Sequence, residues 1–160
     1  MVIPANTPVH LRPASELDRE FLLTLHCTTM REVIAMTWGW DEAFQRADFD
    51  RRFAQSIVWI VETQGCAVGS LWVEWKPDSL YIDELQVLPA FQGRGLGTAI
   101  IQHAIEQGAS RGLPVTLSVV PANPRARYLY ERLGFEVTQI DPPFIHMRNT
   151  SRLTGGLPLI

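Results

Sequence analysis

The segment QVLPAFQGRGLGT, residues 86–98, indicates a glycine-rich loop between a strand and a helix. It follows a strand-like apolar pattern and precedes an apolar pattern of helical period. Glycines at 93, 95 and 97 let the backbone approach a ligand closely. The first N–H groups of the following helix lack intrahelical partners and lie at the positive end of its dipole. The segment therefore predicts an anion site suited to phosphate, to which Arg94 adds positive charge.

Two common phosphate-binding loops do not fit this segment. A Walker A loop requires a lysine directly after its last glycine, and the segment contains none. A dinucleotide-binding loop requires GxGxxG, and Thr98 stands where the third glycine would be. Two interpretations of the loop stay open: a binding loop for the pyrophosphate of coenzyme A, or a glycine-rich turn without a ligand.

The patterns around the segment predict a mixed α/β fold. Gln64-Gly65 joins two strands as a hairpin, whereas residues 79–120 form a strand–helix–strand unit that needs a parallel pair. We therefore predict a mostly antiparallel central sheet with one parallel βαβ unit and about four helices. The expected strands are 9–12, 57–62, 66–75, 79–88, 115–120, 135–140 and 144–148, and the expected helices are 15–36, one beginning at Asp41, 94–110 and 123–134.

The strand before the glycines has an interrupted alternation. Leu80 and Ile82 share one phase, and Leu85 and Val87 share the other. A slip of this kind, here at 83–84, is what an inserted bulge residue produces.

Composition limits the class of protein. The chain has 160 residues, with 14 Lys and Arg against 17 Asp and Glu, for a formal net charge of -3. That balance argues against a general nucleic-acid binder, and no apolar run approaches the roughly 20 residues of a membrane span. We expect one domain over 1–160, with its core at about 9–149 and a tail at 150–160. Cys27 and Cys66 are expected to be free thiols, which suits a cytoplasmic protein.

A second motif follows 26 residues after Gly97. It reads Asn123-x-x-Ala126-x-x-x-Tyr130-x-x-x-Gly134-Phe135. Together with Val87-x-Pro89 and Gln92-x-x-Gly95-x-Gly97, it resembles the GNAT superfamily of N-acetyltransferases over roughly residues 9–148. The bulged strand agrees with that family, in which the central strand splays from its neighbour to admit the pantetheine arm.

The resemblance implies acetyl-CoA as cosubstrate and an amine as acceptor. The Val87 N–H would face the thioester oxygen as an oxyanion donor. Main-chain groups of Gln86 and Val87 would lie along pantetheine, and Asn123 and Ala126 would face pantetheine or adenosine. The pyrophosphate would be held by Gln92, Gly93, Arg94, Gly95, Leu96, Gly97 and Thr98.

Tyr130 is the predicted acid and Glu84 the predicted base. A free phenol has a pKa of about 10 and a thiol of about 8.5, so Tyr130 can donate a proton to a leaving thiolate at neutral pH. The alternative for Tyr130 is a core tyrosine, and Tyr128 is the weaker candidate acid. Glu84 would act through a water, with Asp83 and Glu74 as neighbours. Its alternative is a solvated or salt-bridged strand carboxylate.

Other chemistry-bearing residues give weaker signals. In the family, the junction at 38–42 (WGWDE) commonly lines the acceptor side, where tryptophans would suit an amine by cation–π contact. The alternative role for this junction is a hydrophobic staple at the entry to the second helix. His26 and His103 are interpreted as structural, and His10 and His146 are uninformative. No metal site is predicted.

We therefore expect an acetyl-CoA-dependent N-acetyltransferase that works by direct attack in a ternary complex. A small amine is the favoured acceptor, and a peptide or protein amine is possible. The alternative from another class is a non-catalytic acyl-CoA-binding sensor. Neither nucleic acid nor membrane is an expected partner, and a homodimer is possible.

Overall fold

The structure is a computed structural model that describes residues 8–150. The predicted tail lies outside the described residues, apart from Thr150. In the described part, the helices are α1 Arg19–Thr37, α2 Glu42–Gln55, α3 Leu96–Ser110 and α4 Pro124–Arg132. The strands are β1 His10–Pro13, β2 Ile57–Thr63, β3 Cys66–Trp75, β4 Leu80–Val87, β5 Val115–Val119, β6 Glu136–Asp141 and β7 Phe144–Asn149.

The seven strands of residues 8–150 form one mixed sheet in the order β1-β2-β3-β4-β5-β7-β6. Neighbours β1–β2, β2–β3, β5–β7 and β6–β7 are antiparallel, and β4–β5 is parallel. The predicted mixed sheet with one parallel βαβ unit is thereby confirmed. The bulge predicted at 83–84 stays a prediction.

The chain divides into two compact units. Unit 1 contains residues 8–73 and 84–97, and unit 2 contains residues 74–83 and 98–150 of the described chain.

The core of unit 1 is aromatic. Phe49 of α2 lies edge-on to Trp72 of β3, with ring centroids 5.6 Å apart. Leu22, Val58 and Ile60 complete the buried cluster. Burying side chains of this size stabilises a fold by about 1.5–3 kcal/mol each.

Two apolar side chains near the starts of the first two helices, Leu17 and Phe44, do not face this core. Leu17 is 96% exposed and Phe44 is also exposed. Leu17 lies in the 3-10 turn Glu16–Asp18 that precedes α1, where the 3.6-residue period does not yet apply. Phe44 lies in the first turn of α2, and the buried phase of that helix begins at Gln45.

The 3-10 turn Glu16–Asp18, which leads into α1, is capped by an ion-paired carboxylate. Asp18 accepts from the Ser15 N–H at 2.8 Å and from Arg12 Nη2 at 2.8 Å. The Arg12 hydrogen bond is the main cause that lowers the pKa of Asp18 to about 2. Ser15 and Asp18 therefore form a capping box, with aspartate in place of the more usual Glu or Gln.

Unit 2 packs α3 on β5. Ile100 and Ala104 are fully buried on α3, as their spacing predicts. A side chain at Gly108 would meet the Leu113 carbonyl oxygen at 2.7 Å and Val115 Cγ2 at 3.3 Å. Glycine at 108 therefore allows close approach of the helix to the strand.

In the described residues, no helix is long and apolar enough to cross a lipid bilayer. No group of three or more His, Cys, Asp or Glu side chains in residues 8–150 is arranged to hold a metal ion.

Candidate functional site

The predicted site residues divide between the two units. Unit 2 contains Thr98, Asn123, Ala126 and Tyr130. Unit 1 contains Glu84, Gln86, Val87, Gln92, Gly93, Arg94, Gly95, Leu96 and Gly97.

The glycine loop of unit 1 turns through two left-handed residues. Gly93 has φ +73° and Gly95 has φ +81°. L side chains rarely adopt this conformation, so glycine is required by the backbone at both positions. Apart from Gly95 and its two chain neighbours, no atom lies within 4 Å of the position where a Gly95 side chain would begin. The loop leads directly into α3 at Leu96, so an open stretch of main chain stands at a helix N-terminus, as anion binding requires.

The loop is joined to the end of β4 by a side chain. Gln92 Nε2 donates to the Val87 carbonyl oxygen at 2.8 Å. The next residue, Leu88, donates its N–H to the Val68 carbonyl oxygen of β3 at 2.8 Å. A side chain on Gly69 would overlap the Gln86 carbonyl oxygen and lie 3.3 Å from Val87 Cα. Glycine at 69 therefore allows β3 to approach the main chain at the end of β4.

The Gln86 side chain points into unit 1. It is almost fully buried. Its Nε2 donates to Glu84 Oε2 at 2.7 Å, and its Oε1 accepts from Ser70 Oγ at 3.3 Å. Any contact of Gln86 with a ligand along β4 must therefore be made by its main chain.

Glu84 belongs to a buried polar cluster. Its Oε1 lies 2.7 Å from Arg52 Nη1 of α2 and 3.5 Å from His26 Nδ1 of α1. Since Gln86 donates to Oε2, both carboxylate oxygens are engaged. Glu84 is thus a salt-bridged strand carboxylate, which the sequence analysis gives as the alternative to a general base.

His26 completes this cluster from α1. Its Nε2 lies 2.9 Å from Gln45 Oε1. Burial acts to lower the pKa of His26, but the hydrogen bond and charge of Glu84, with help from Gln45, raise the pKa above its ordinary value. The protonated ring can donate to Gln45 and to Glu84 at the same time. The sequence does not predict that His26, Gln45 and Arg52 cluster with Glu84, because no spacing relates residues 32 to 58 positions away from Glu84 on different elements.

Trp40 also contacts charged side chains of unit 1. Its Nε1 donates to Glu42 Oε2 at 2.7 Å, and the Arg31 guanidinium lies 4.6 Å from its ring centroid. Asp41 accepts from the Phe44 N–H and caps α2, as predicted. One face of Trp40 is therefore already in a cation–π contact.

In unit 2, α4 holds Tyr130 and is capped at both ends. Asn123 Oδ1 accepts from the Ala126 N–H at 3.2 Å. Gly134 has φ +95°, and the Phe135 N–H donates to the Tyr130 carbonyl oxygen at 3.0 Å. Asn123 and Gly134 thus cap the two ends of this helix, at the limits of the predicted range 123–134. The Asn123 side-chain oxygen is thus engaged in the cap.

The Tyr130 phenol is buried and stays protonated. Its ring lies 5.7 Å from that of Phe135. Burial raises the pKa of Tyr130 to about 12. Tyr128, the weaker candidate, is 69% exposed on the same helix. Thr98, at the start of α3, accepts from Arg132 Nη2 at 3.0 Å through Oγ1.

Relatives resemble the chain in sequence. Mycothiol acetyltransferase of Beutenbergia cavernae is 39% identical over 90 residues, which cover 52% of this chain and 29% of that protein. Thialysine N-epsilon-acetyltransferase of Bos taurus is 34% identical over 80 residues, covering 46% and 47%. The chain thus spans less than half the length of both relatives.

Solved structures share the fold. The PaiA N-acetyltransferase of Thermoplasma acidophilum, solved in complex with coenzyme A, superimposes with a TM-score of 0.74 at 14% identity. The superposition covers 89% of this chain and 98% of that one. At that identity the likeness concerns the fold alone.

The profile of the acetyltransferase (GNAT) family matches residues 20–135. That match includes the glycine loop, the polar cluster around Glu84 and the capped helix that holds Tyr130. The chain belongs to the acetyltransferase (GNAT) family.

Proposed function

We propose that the protein transfers an acetyl group from acetyl-CoA to an amine by direct attack in a ternary complex. The observation that carries this proposal is the glycine loop, in which Gly93 and Gly95 adopt left-handed conformations and lead into α3. Membership of the GNAT family supports the acetyl donor. The cysteines, Cys27 and Cys66, lie outside both motifs, which favours direct attack over a covalent acyl-enzyme.

The residues present fit the proposed cosubstrate. Acetyl-CoA would supply a thioester and a thiolate leaving group. Main-chain N–H groups of residues 92–98 would bind its pyrophosphate, and the open space at Gly95 leaves room for it. The main chain of Gln86 and Val87 would pair with pantetheine. Asn123 and Ala126 would lie toward pantetheine or adenosine.

Three groups would act on the reacting atoms. The Val87 N–H would donate to the thioester oxygen as negative charge develops there. Tyr130 would give its proton to the leaving thiolate. Its raised pKa keeps the phenol protonated over the whole physiological range. Glu84 would accept the amine proton through a water, while Arg52 and Gln86 hold its carboxylate in place.

A small amine is the favoured acceptor. One relative is named for acetylating the ε-nitrogen of thialysine. Another relative, from Saccharomyces cerevisiae, is named N-alpha-acetyltransferase 40. Its name supports a peptide or protein amine as the second candidate acceptor. A sensor that binds acyl-CoA without turnover is the alternative function, and it predicts that Tyr130→Phe changes nothing measurable.

Turnover with acetyl-CoA tests the proposal. The full chain would be assayed for free-thiol release against a panel of amines, polyamines, amino acids and peptides. Release with one class of amine supports the enzyme and identifies its acceptor class. Binding of acetyl-CoA by calorimetry, with no release above the rate without acceptor for any member of the panel, would favour the sensor.

A further inference from the structure

The polar cluster around Glu84 contains a histidine whose two ring nitrogens have different neighbours. His26 lies on α1 with only 1% of its surface exposed. Its Nε2 lies 2.9 Å from Gln45 Oε1 of α2. Its Nδ1 lies 3.5 Å from Glu84 Oε1 and 3.4 Å from Gln86 Nε2, both on β4. One ring nitrogen therefore faces an acceptor, and the other faces both an acceptor and a donor.

These neighbours allow two hydrogen-bonding states of the ring. In the neutral ring, Nε2–H donates to Gln45 Oε1, and the Nδ1 lone pair accepts from Gln86 Nε2. Gln86 Nε2 carries two protons, so it keeps its bond to Glu84 Oε2 at 2.7 Å. In the protonated ring both nitrogens are donors, and Nδ1–H donates to Glu84 Oε1. One proton on His26 thus changes the partner of Nδ1 from Gln86 to Glu84.

The state of the ring determines which lone pairs of the Glu84 carboxylate are occupied. A carboxylate has about four lone-pair sites. Arg52 Nη1 occupies one on Oε1 at 2.7 Å, and Gln86 occupies one on Oε2. Protonated His26 occupies the second site on Oε1, and its positive charge opposes the arrival of a proton there. Neutral His26 leaves that site to a water molecule.

The charged groups that face the ring come from α2 and β4. Burial lowers the pKa of His26, but the hydrogen bond and charge of Glu84 and the hydrogen bond of Gln45 raise it above its ordinary value, against the charge of Arg52. Asp48 accepts from Arg52 Nε at 2.9 Å and so offsets part of that charge. Two aromatic rings also pack on the imidazole: Trp40 and Phe49. The two states of the ring therefore exchange in the physiological range of pH.

We propose that His26 is a positioning residue for the general base: its neutral form frees Glu84 Oε1 for the water that receives the amine proton, and its protonated form blocks that oxygen. This inference rests on the acetyl transfer and on the role of Glu84 proposed above. It agrees with the place of the reaction along β4, because the Glu84 carboxylate contacts the side chain of Gln86, the neighbour of Val87.

The proton balance closes on Glu84 and Tyr130. An acceptor that arrives as an ammonium ion first loses one proton to solvent. The free amine then attacks the thioester carbon. As the C–N bond forms and the C–S bond breaks, the nitrogen gives one proton through water to Glu84, and Tyr130 gives one to the leaving thiolate. Glu84 releases its proton to solvent, and Tyr130 recovers one from solvent. His26 gains and loses no proton during turnover.

The first test compares the pH profiles of wild type and His26→Gln. Glutamine does not titrate, and its amide reaches the position of Nε2 rather than that of Nδ1. The titration of the acceptor amine affects both proteins equally and cancels in the ratio of their kcat/KM values. Wild-type kcat/KM should rise with pH through an inflection above about pH 6.5. The ratio of variant to wild type should be about 10-fold higher one pH unit below that inflection than well above it.

A matched pair of variants at Gln45 should move the same inflection in opposite directions. Gln45→Glu places a carboxylate beside Nε2, which favours the protonated ring, so the inflection should move to higher pH by about one unit. Gln45→Met is similar in size but offers no acceptor, so burial favours the neutral ring and the inflection should move to lower pH. A purely structural role for His26 would change the stability of these variants and leave the inflection in place.

Nuclear magnetic resonance of the free protein observes the ring without turnover. The nitrogen-15 shifts of imidazole distinguish the protonated ring from both neutral tautomers, and the signals that His26→Gln loses belong to His26. We expect the neutral ring to carry its proton on Nε2. Its titration should coincide with the kinetic inflection, because kcat/KM reports groups of the free enzyme.

Each outcome decides for or against the inference. A folded His26→Gln with the same ratio to wild type at every pH would overturn it. An inflection that stays in place in both Gln45 variants, or a neutral ring protonated on Nδ1, would overturn it as well. If wild type itself releases no thiol with any amine, the acetyl transfer fails and the inference fails with it. Turnover by wild type with unaltered profiles in the variants overturns the role of His26 alone.

Discussion

Arg52 Nη1 lies 2.7 Å from Glu84 Oε1, and both side chains are nearly buried, at 12% and 11% exposure. This ion pair connects α2 to β4 within unit 1. Charges in such a setting are costly to leave unpaired, because water no longer replaces the missing partner. The pair therefore makes the position of Glu84 sensitive to changes on α2.

Replacement of Glu84 by glutamine should lower the free energy of unfolding by about 3 kcal/mol, because Arg52 loses its carboxylate partner. The control is Glu131→Gln. Its ion pair with Arg127 has the same 2.7 Å distance but is about half exposed, so its loss should cost under about 1 kcal/mol. Urea unfolding followed by circular dichroism measures both. Equal costs for the two variants would contradict the prediction.

Stability should also depend on pH through His26. Its pKa is raised in the folded protein, so its contribution is complete below about pH 6.5 and is lost as pH rises through the folded-state pKa. We expect the free energy of unfolding to fall over this range in wild type. The fall should be smaller in His26→Gln. Identical slopes for wild type and His26→Gln would remove His26 from this role.

Gly95→Glu should abolish binding of coenzyme A, because it adds a negative charge to a loop proposed to bind pyrophosphate. It also strains a backbone at φ +81°. Gly65→Glu separates the two effects: Gly65 has φ +75° and open space beside it, but lies in the β2–β3 turn. We expect Gly65→Glu to lose stability and keep its affinity for coenzyme A, measured by calorimetry. If Gly95→Glu kept the wild-type affinity for coenzyme A, the assignment of this loop as the pyrophosphate site would be wrong.

Tyr130→Phe should lower kcat by about 10²-fold with a smaller effect on affinity for acetyl-CoA, as for loss of a general acid. With a pKa of about 12, Tyr130 itself should cause no inflection in the pH profile below about pH 10. Tyr128→Phe is the same substitution at an exposed position of α4 and should leave kcat unchanged. Wild-type turnover of Tyr130→Phe would make Tyr130 a core residue.

Local patterns predicted much of this fold. Caps at Asp41, Asn123 and Gly134, and the apolar spacing of Ile100 and Ala104, depend on residues near in sequence. Local patterns also predicted the hairpin at Gln64-Gly65 and the parallel strand–helix–strand unit over residues 79–120. Leu17 has helical spacing to Phe21 but is exposed, because it lies in a 3-10 turn, which an apolar pattern does not distinguish from an α-helix.

Partners distant in sequence could not be predicted. Glu84 was singled out as a carboxylate, but its contact with His26 joins two elements whose packing no spacing encodes. The same holds for Ser118 and His146, 28 residues apart, which become neighbours only through the β5–β7 register. Sequence named the chemical groups, and tertiary packing determined which of them meet.

The hydrogen bond from Gln92 to the Val87 carbonyl has a consequence for protein engineering. Because Gln92 attaches the loop to the strand before it, we expect residues 87–97 to tolerate exchange better as one piece than as separate parts. A chimera that receives only the glycine-containing residues of a relative would have the turn but would lack the hydrogen bond between residues 92 and 87. Swaps should therefore begin at residue 87 and retain glutamine at 92.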